Sequence, residues 1–323
     1  MDMIDTYKKD FLSFLNKKIY LKEPVNLYEP IDYILQLGGK RLRPILTLMT
    51  CDIFNGNVKD AYDAALAIEV FHNFTLIHDD IMDSAPIRRG KATVHKKWNI
   101  NSGILSGDAM MIVAYQCLEN YEPVIFKKLM LLFNKTALEV CEGQQYDMDF
   151  ETRNNVSIAE YLTMITYKTS VLVAAAMQMG AIIANTKDEE AEAIYNFGLN
   201  LGIAFQLQDD YLDTFGDEAI FGKQIGGDIT ENKKTFLFLK ALEISNTEDR
   251  EQLLRLYNSI DNNYKKVRDV TQIFEKNKIP EITVKEIEFY TNKAFIILEK
   301  LSISEEKKLV LKNFGLNLMN RTI

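Results

Sequence analysis

The stretch "IYNFGLNLGIAFQLQDDYLD", residues 194–213, indicates the fold class of this 323-residue chain. Its apolar residues recur every three or four positions, which is the period of one face of an α-helix. The same period continues in "AEYLTMITYKTSVLVAAA" and "REQLLRLYNSIDNNYKKVRDVTQIF", and no convincing series of alternating strands is present. Since no proline occurs from residue 124 to 279, long helices are permitted there. The pattern predicts an all-α protein.

The polar breaks between these helices are short. Examples are "QLGGKRLRP" (36–44), "DSAPIRRGKATVHKK" (83–97) and "FGDEAIFGKQIGGD" (215–228), each with glycine or proline. None of them is long or simple enough in composition to link two domains. We therefore predict one domain over residues 1–323, built from about ten to thirteen helices.

Composition excludes several classes of partner. With 38 Lys and Arg against 46 Asp and Glu the net charge is -8, which argues against a nucleic-acid partner or an anionic membrane surface. The N-terminus lacks the apolar segment of a signal peptide, and the longest apolar stretch, 171–184, is shorter than the roughly 20 residues of a transmembrane segment. The cysteines are few and scattered, so we expect a reducing, cytoplasmic location.

Two acidic stretches share one pattern, DDxxD. They are "LIHDDIMD" (76–83) and "QLQDDYLD" (206–213), and in each the first and last aspartates are four residues apart, hence on one face of a helix. Like charges at that spacing repel unless a cation lies between them, and hard oxygen ligands suit Mg²⁺, which shares its coordination with substrate phosphates. A single copy could be a solvated helix end. Two copies predict a pair of carboxylate helices that hold a diphosphate through Mg²⁺.

A diphosphate also needs local positive charge, which this acidic chain offers at five places. Several of the candidates lie beside glycines, which let backbone N–H groups approach phosphate oxygens. The basic loop "RRGKATVHKK" could instead be solvated surface, Lys168 a lysine reaching solvent from a helix end, and His72 a satisfied core histidine. The candidate cations are Lys40, Arg41, Arg43, Arg88, Arg89, Lys91, Lys168, Lys223, Lys233 and Lys234.

These motifs together resemble those of the trans (all-E) prenyl diphosphate synthases, in the polyprenyl synthetase family. The segments "GGKRLRP", "LIHDDIMDSAPIRRGKAT", "GQQYD", "YKTS", "FQLQDDYLD" and "GKQIGGDITENKKT" follow the family's order between about residues 38 and 235. The resemblance implies a single helical bundle of the isoprenoid synthase type, with two facing DDxxD helices around a central cavity, and a homodimer. After about residue 240 the resemblance fades, and we assign no chemistry to the rest.

The resemblance also implies a role for each matching residue. Mg²⁺, about three ions per active site, would be held chiefly by Asp79, Asp83 and Asp209, with Asp80, Asp210 and Asp213 in support. The allylic diphosphate (dimethylallyl, geranyl or farnesyl) would be held by Arg88, Lys168, Thr169, Gln206, Lys223 and Lys233. Isopentenyl diphosphate would be held by Lys40, Arg43, His72 and Arg89.

The implied reaction is a head-to-tail condensation. Pyrophosphate departs from the allylic substrate, the alkene of isopentenyl diphosphate attacks the resulting cation, and the released pyrophosphate takes the proton, so no enzyme nucleophile is needed. Two alternatives are a class I terpene cyclase, whose second metal motif differs from DDxxD, and a non-catalytic regulatory subunit, in which aspartate motifs are usually lost. A helical scaffold with solvated acidic turns would leave the ordered basic segments unexplained.

Product length is expected to depend on residues just before Asp79. Phe74 lies about 7.5 Å before Asp79 along a helix axis, at about 1.5 Å per residue, and its ring would block a long product. Thr75 leaves one side more open than the paired aromatics of animal-type farnesyl synthases. We predict a C15 to C20 product, leaning towards C20, unless Phe71 and Phe74 are simply core residues.

Overall fold

The computed structural model describes residues 3–18, 21–216, 225–259 and 264–319, and these ranges are almost entirely helical. The prediction of an all-α fold is therefore confirmed. The helices are α1 (Met3–Lys18), α2 (Val25–Gln36), α3 (Leu42–Ile53), α4 (Tyr62–Met82), α5 (Val94–Lys97), α6 (Ile100–Gln116), α7 (Pro123–Thr152), α8 (Ile158–Ile165), α9 (Val171–Ile183), α10 (Asp188–Phe215), α11 (Gly227–Thr230), α12 (Phe236–Ile244), α13 (Thr247–Tyr257), α14 (Tyr264–Lys276), α15 (Ile279–Lys300) and α16 (Glu305–Met319).

These helices are more numerous than the ten to thirteen predicted. The short helices α5 and α11, of one turn each, lie at two of the polar breaks. Their sequences show no apolar period that would predict a helix. A 3₁₀ turn at Val58–Ala61 also precedes α4. None of the described helices is long and apolar enough to cross a membrane.

The basic loop after α4 forms a small hairpin. Strands Ile87–Arg88 and Lys91–Ala92 pair antiparallel, and the turn between them places Arg89 at φ 52° and Gly90 at φ 74°. Two successive residues with positive φ are the geometry of a two-residue hairpin turn. A hydrogen bond joins the two ends of the hairpin: the Thr93 hydroxyl donates to the carbonyl of Ala85 at 2.8 Å.

The chain divides into two compact units. Unit 1 comprises residues 1–134 and 175–192, and unit 2 comprises 135–174 and 193–323. That residues 1–323 form one domain stays a prediction. In unit 1 the long helix α4 packs against α3 and α6, and its residues from Ala64 to Phe71 are all buried. The His78 side chain of α4 packs directly on Gly107 of α6, where an added Cβ would meet its ring at 2.3 Å.

In unit 2, α8 runs through a short irregular turn into the first residues of α9, up to residue 174. α8 begins with a capping box: the Ser157 hydroxyl accepts from the Glu160 N–H at 3.2 Å, and the Glu160 carboxylate accepts from the Ser157 N–H at 2.9 Å. Between α8 and α9 the residues Thr166–Ser170 form a single π-helical turn. Such a turn holds one residue more than an α turn and is frequent at functional sites.

Candidate active site

The first aspartate motif lies at the C-terminal end of α4, in unit 1. Asp79 is half-buried in the last turn, and Asp83 is the exposed C-cap, whose N–H donates to the Asp79 carbonyl at 2.8 Å. Because they are four residues apart, the two side chains leave the helix on one face. This face could present two carboxylates to one cation.

The middle aspartate of the same motif has a different environment. Asp80 is 1% exposed, and its carboxylate is bound by the Arg88 guanidinium. The Arg88 Nε lies 2.9 Å from both carboxylate oxygens, and the Nη2 lies 2.7 Å from Oδ1. A forked arginine–carboxylate pair fixes geometry as well as charge. Asp80 therefore anchors the basic hairpin to the end of α4.

Cationic groups gather where the start of α3 meets α4. The Arg43 Nη1 donates to the His72 Nε2 at 3.2 Å. Burial, followed by the charges of Arg43, Arg89 and Arg88, holds the pKa of His72 well below its ordinary value. The ring is therefore neutral near pH 7, and its Nε2 accepts a hydrogen bond from the Arg43 guanidinium. Burial also lowers the pKa of Arg43, to about 10, which leaves the guanidinium charged.

The loop before α3 contacts the tip of the hairpin. The Arg89 Nη1 donates to the carbonyl of Gly38. Gly38 and Gly39 have φ of 81° and 119°, and a Cβ on Gly39 would lie 2.9 Å from the Arg89 Cζ. Glycine is required here by both conformation and space. The loop thus brings the exposed Lys40 next to the residues that hold Arg89.

Lys168 projects from the π turn in unit 2, at a point where three backbones meet closely. An added Cβ on Gly143 of α7 would lie 2.2 Å from the Lys168 nitrogen, and one on Gly202 of α10 would lie 2.8 Å from the Ser170 Cα. The Lys168 Nζ is hydrogen-bonded to the carboxylate of Asp147. Asp147 lies in the segment "GQQYD", and nothing in the sequence pattern predicts its contact with Lys168.

The second aspartate motif lies near the end of α10 and has the same division of roles. Asp209 and Asp213 are half-buried and share a face, whereas Asp210 is buried, bonded to the Tyr161 hydroxyl and, at 3.3 Å, to the Gln206 amide. Burial, then the charge of Asp228, raises the pKa of Asp210 well above its ordinary value. Tyr161 could not be predicted as a partner of Asp210, because it lies about fifty residues away in the chain and belongs to no motif.

The segment after α10 supplies a further carboxylate and a lysine. The Asp228 N–H donates to the Asp213 carboxylate at 2.9 Å, and burial together with Asp213 raises the pKa of Asp228 to about 6. Lys233 pairs with Asp228 at 3.5 Å and with Glu231 at 2.8 Å. Thr169 is half-buried beside Lys168. The predicted Lys223 lies outside the described residues.

The donor set fits a magnesium site completed by substrate. In the ranges that the structure describes, no three Asp, Glu, His or Cys side chains come together as a closed metal cluster. Each motif instead presents two carboxylates at one-turn spacing. Mg²⁺ keeps several waters and takes phosphate oxygens, so such open carboxylate pairs suit it.

The residues predicted to control product length belong to an aromatic cluster in unit 1. The Phe71 ring lies 5.5 Å from that of Phe74 and 5.2 Å from that of Phe133, and the Phe74 ring lies 4.8 Å from that of His78. By helical spacing Thr75 shares the face of Asp79, whereas Phe74 lies about 140° around the axis. Both phenylalanines are buried and Thr75 is half-buried.

The matching motifs and the helical fold are those of a known class of transferases. The polyprenyl synthetase family profile matches residues 24–276, and the chain belongs to this family. The predicted assignment to trans-prenyltransferases is thereby confirmed. The match extends to residue 276, so the prediction that the resemblance fades after about residue 240 is wrong. The later helices belong to the family but carry no short motif by which a sequence reveals it.

Individual relatives agree with this assignment. A geranylgeranyl diphosphate synthase of Methanosarcina mazei is 43% identical over 231 residues, 71% of each chain. A crystal structure of a geranylgeranyl pyrophosphate synthase, 52% identical, covers 100% of both chains with a TM-score of 0.95. The geranylgeranyl pyrophosphate synthase of Corynebacterium glutamicum, solved with isoprenyl diphosphate and magnesium, is 25% identical, covers 98% of this chain and 97% of that one, and has a TM-score of 0.85.

Proposed function

We propose that this trans-prenyltransferase makes geranylgeranyl diphosphate, C20, by adding isopentenyl diphosphate to allylic primers. The observation that carries the proposal is the cationic cluster of unit 1, in which Lys40, Arg43 and Arg89 gather around one loop of a chain with net charge -8. An anionic ligand would compensate this local positive charge. The names of the similar synthases support the C20 product.

Isopentenyl diphosphate would bind at this cluster. Lys40, Arg43 and Arg89 supply charge and hydrogen bonds to its phosphates. The neutral His72 orients Arg43 without adding a further positive charge. The site would hold the substrate by its diphosphate and leave its alkene to react.

The allylic substrate would bind at the aspartate motifs. Mg²⁺, about three ions as the resemblance implies, would neutralise the diphosphate when bound by Asp79, Asp83 and Asp209, with Asp213 in support. The contacts of Asp80 with Arg88 and of Asp210 with Tyr161 support an anchoring role for the two middle aspartates. The residues that would contact the allylic diphosphate are Arg88, Lys168, Thr169, Gln206, Lys223 and Lys233.

The chemistry follows from this charge distribution. As the allylic C–O bond breaks, negative charge grows on the departing pyrophosphate, and Lys168 and Lys233 stabilise it. The alkene of isopentenyl diphosphate forms the new C–C bond with the allylic cation, and the pyrophosphate accepts the proton that is lost. No side chain has to act as a nucleophile.

One assay tests the proposal. Purified protein is incubated with isopentenyl diphosphate, Mg²⁺ and, separately, dimethylallyl, geranyl or farnesyl diphosphate, and the product chain length is measured. We expect elongation of all three primers to C20. Hydrocarbon release from an allylic diphosphate would instead indicate a terpene cyclase. No elongation of any primer by the chain alone would indicate a regulatory subunit.

We also propose a cytoplasmic homodimer. Exposed apolar side chains line two helices of unit 1: Leu105 and Ile112 on α6, and Val124 and Leu131 on α7, all at least 60% exposed. α6 and α7 are neighbours, since the Tyr115 hydroxyl contacts Asn134 at 3.0 Å. Apolar patches of this kind mark protein interfaces, and a second copy of this chain would cover them. The few, scattered cysteines support the cytoplasmic location.

A further inference from the structure

The loop between α2 and α3 holds two arginines in opposite environments. Arg43 is half-buried and contacts His72, whereas Arg41 is 4% exposed and turns into unit 1. The guanidinium of Arg41 donates to the carboxylate of Glu69 on α4 and to the carbonyl of Leu35 in the last turn of α2. Arg41 therefore ties the loop to two helices at once.

The acceptor of this ion pair is itself held in place. Glu69 is 2% exposed. Asn73, one turn later on α4, donates its Nδ2 to the Glu69 carboxylate at 3.0 Å and to the Glu69 carbonyl at 2.7 Å. A buried carboxylate is tolerated when an opposite charge and further hydrogen bonds satisfy it. The pair is thus a fixed point within the unit.

The backbone conformation of Arg41 determines where the neighbouring residues Lys40 and Arg43 lie. Arg41 lies in the left-handed region, with φ 54° and ψ 38°, directly before the first residue of α3. A residue other than glycine adopts this conformation only where its surroundings impose it. With this backbone conformation at Arg41, Lys40 is exposed and Arg43 lies in the first turn of α3. Arg41–Glu69 and Arg43–His72 then join the start of α3 to α4 as two neighbouring pairs, one turn apart on α4.

We propose that the buried Arg41–Glu69 pair positions the isopentenyl diphosphate subsite by fixing the places of Lys40, Arg43 and His72. The inference rests on the proposed function, which assigns those three residues to that substrate. Arg41 belongs to the cationic run "GGKRLRP", but its two terminal nitrogens are bonded to protein acceptors. Arg41 is therefore a positioning residue and does not contact the diphosphate.

The double variant Arg41→Met/Glu69→Leu tests this. It removes both charges together and fills similar volume, so no lone charge is left buried. We expect it to fold, judged by circular dichroism and thermal unfolding. The Kd for isopentenyl diphosphate, measured by calorimetry, should rise at least about tenfold, while the KM for the allylic diphosphate changes less than about twofold. Loss of stability alone would not separate the two substrates in this way.

Arg41→Lys provides a milder test, because lysine keeps the charge but lacks the fork that reaches two acceptors. It should raise the same Kd about three- to fivefold. As a matched control, Lys276→Met/Asp249→Asn removes an ion pair of 2.7 Å in unit 2, and it should leave that Kd unchanged.

Unchanged affinity in the double variant would overturn the inference, and if that variant does not fold, Arg41→Lys decides by the same Kd. Wild-type protein that binds isopentenyl diphosphate but elongates no primer would count against the proposed function alone. Wild-type protein that neither binds nor elongates would overturn the proposed function and the inference that rests on it.

Discussion

Burial makes His72 a neutral residue among cations. Its pKa is held well below the ordinary value first by burial and then by the nearby arginines Arg43 and Arg89. Neutrality at pH 7 has two effects: the ring accepts a hydrogen bond from Arg43, and the cluster carries one positive charge fewer. A neutral residue with an acceptor, such as glutamine, should therefore serve in its place.

Acidification is expected to destabilise the protein through His72. The unfolded chain protonates this ring near its ordinary pKa of about 6.5 and the folded protein does not, so stability falls as the pH decreases below about 6.5, by up to about 1.4 kcal/mol per pH unit. Urea unfolding of the wild type and of His72→Gln, from about pH 8 to about pH 5, measures this loss. The wild type should lose more stability in acid than the variant, and identical pH profiles would contradict the prediction.

Removing the first aspartate of a DDxxD motif should lower the rate of the reaction more than it lowers the stability of the protein. Asp79→Ala or Asp209→Ala takes away a proposed magnesium ligand, so prenyl transfer should fall at least about a hundredfold. Asp80→Ala should instead lower the free energy of unfolding, by about 1–3 kcal/mol, because the Arg88 guanidinium loses its buried partner. Steady-state kinetics and thermal unfolding of the three variants separate the roles. Activity that survives in Asp79→Ala would contradict the ligand assignment.

The residue types at the candidate site could be predicted from the sequence, but not all of their roles. The spacing of Asp79 and Asp83 specifies a shared helix face, and the structure places them there. By contrast, Arg41 looks like its neighbours Lys40 and Arg43 in the sequence, and only the fold shows it buried against Glu69. Pairs such as Tyr161 with Asp210 join distant positions, which a single sequence does not reveal.

Among the helical elements, the π turn between α8 and α9 depends on its glycine neighbours. Gly143→Ala would place a Cβ within 2.2 Å of the Lys168 backbone nitrogen, so the turn that carries Lys168 has to shift. We expect the KM for the allylic diphosphate to rise about tenfold or more, since misplacement of a binding group by about 1 Å is costly. Kinetics with each substrate varied in turn provide the measurement.

Gly103→Ala is the matched control for this variant. Its added Cβ would approach the flexible end of the Ile81 side chain, at 2.8 Å, and would make an ordinary contact with the His95 Cβ at 3.7 Å. The side chain can rotate away, so both KM values should stay close to those of the wild type. Equal effects of the two substitutions would show that the glycine contact at the π turn has no special role.

Product length is predicted to depend on the helix α4. Phe74→Ala should lengthen the product beyond C20 if the ring blocks the growing chain. Thr75→Phe should shorten it towards C15, because position 75 shares the face of Asp79. Chromatography of the products measures both, with Phe71→Leu as a control for the aromatic core that Phe71 forms with Phe133. An unchanged product in both the Phe74 and Thr75 variants would exclude α4 as the determinant.

The helices themselves were predictable because burial of one face imposes the period of 3.6 residues on the sequence. The π turn was not, since Thr166–Ser170 continues the same helical pattern and its extra residue leaves no mark in composition. The hairpin at Ile87–Arg88 and Lys91–Ala92 was also missed, because two-residue strands are too short to show alternation.

For the whole molecule, self-association should depend on the exposed leucines of unit 1. Leu105→Glu/Leu131→Glu places charges within the proposed apolar interface, which a dimer cannot bury without cost. We expect a monomer by light scattering where the wild type is a dimer. Leu254→Glu, at a position 37% exposed on α13, is the control and should leave the mass unchanged. A wild-type monomer would exclude the interface.

The contrast between a net charge of -8 and the local cation cluster of unit 1 bears on how fast substrate arrives. At low ionic strength, about 0.01 M, charges act over about 30 Å, and a polyanionic substrate approaching from afar meets the repulsion of the whole protein. At about 0.1 M the screening length decreases to about 10 Å, so a substrate close to the protein interacts mainly with the cation cluster. The association rate of isopentenyl diphosphate should therefore increase with the first additions of salt and decline once the cluster itself is screened.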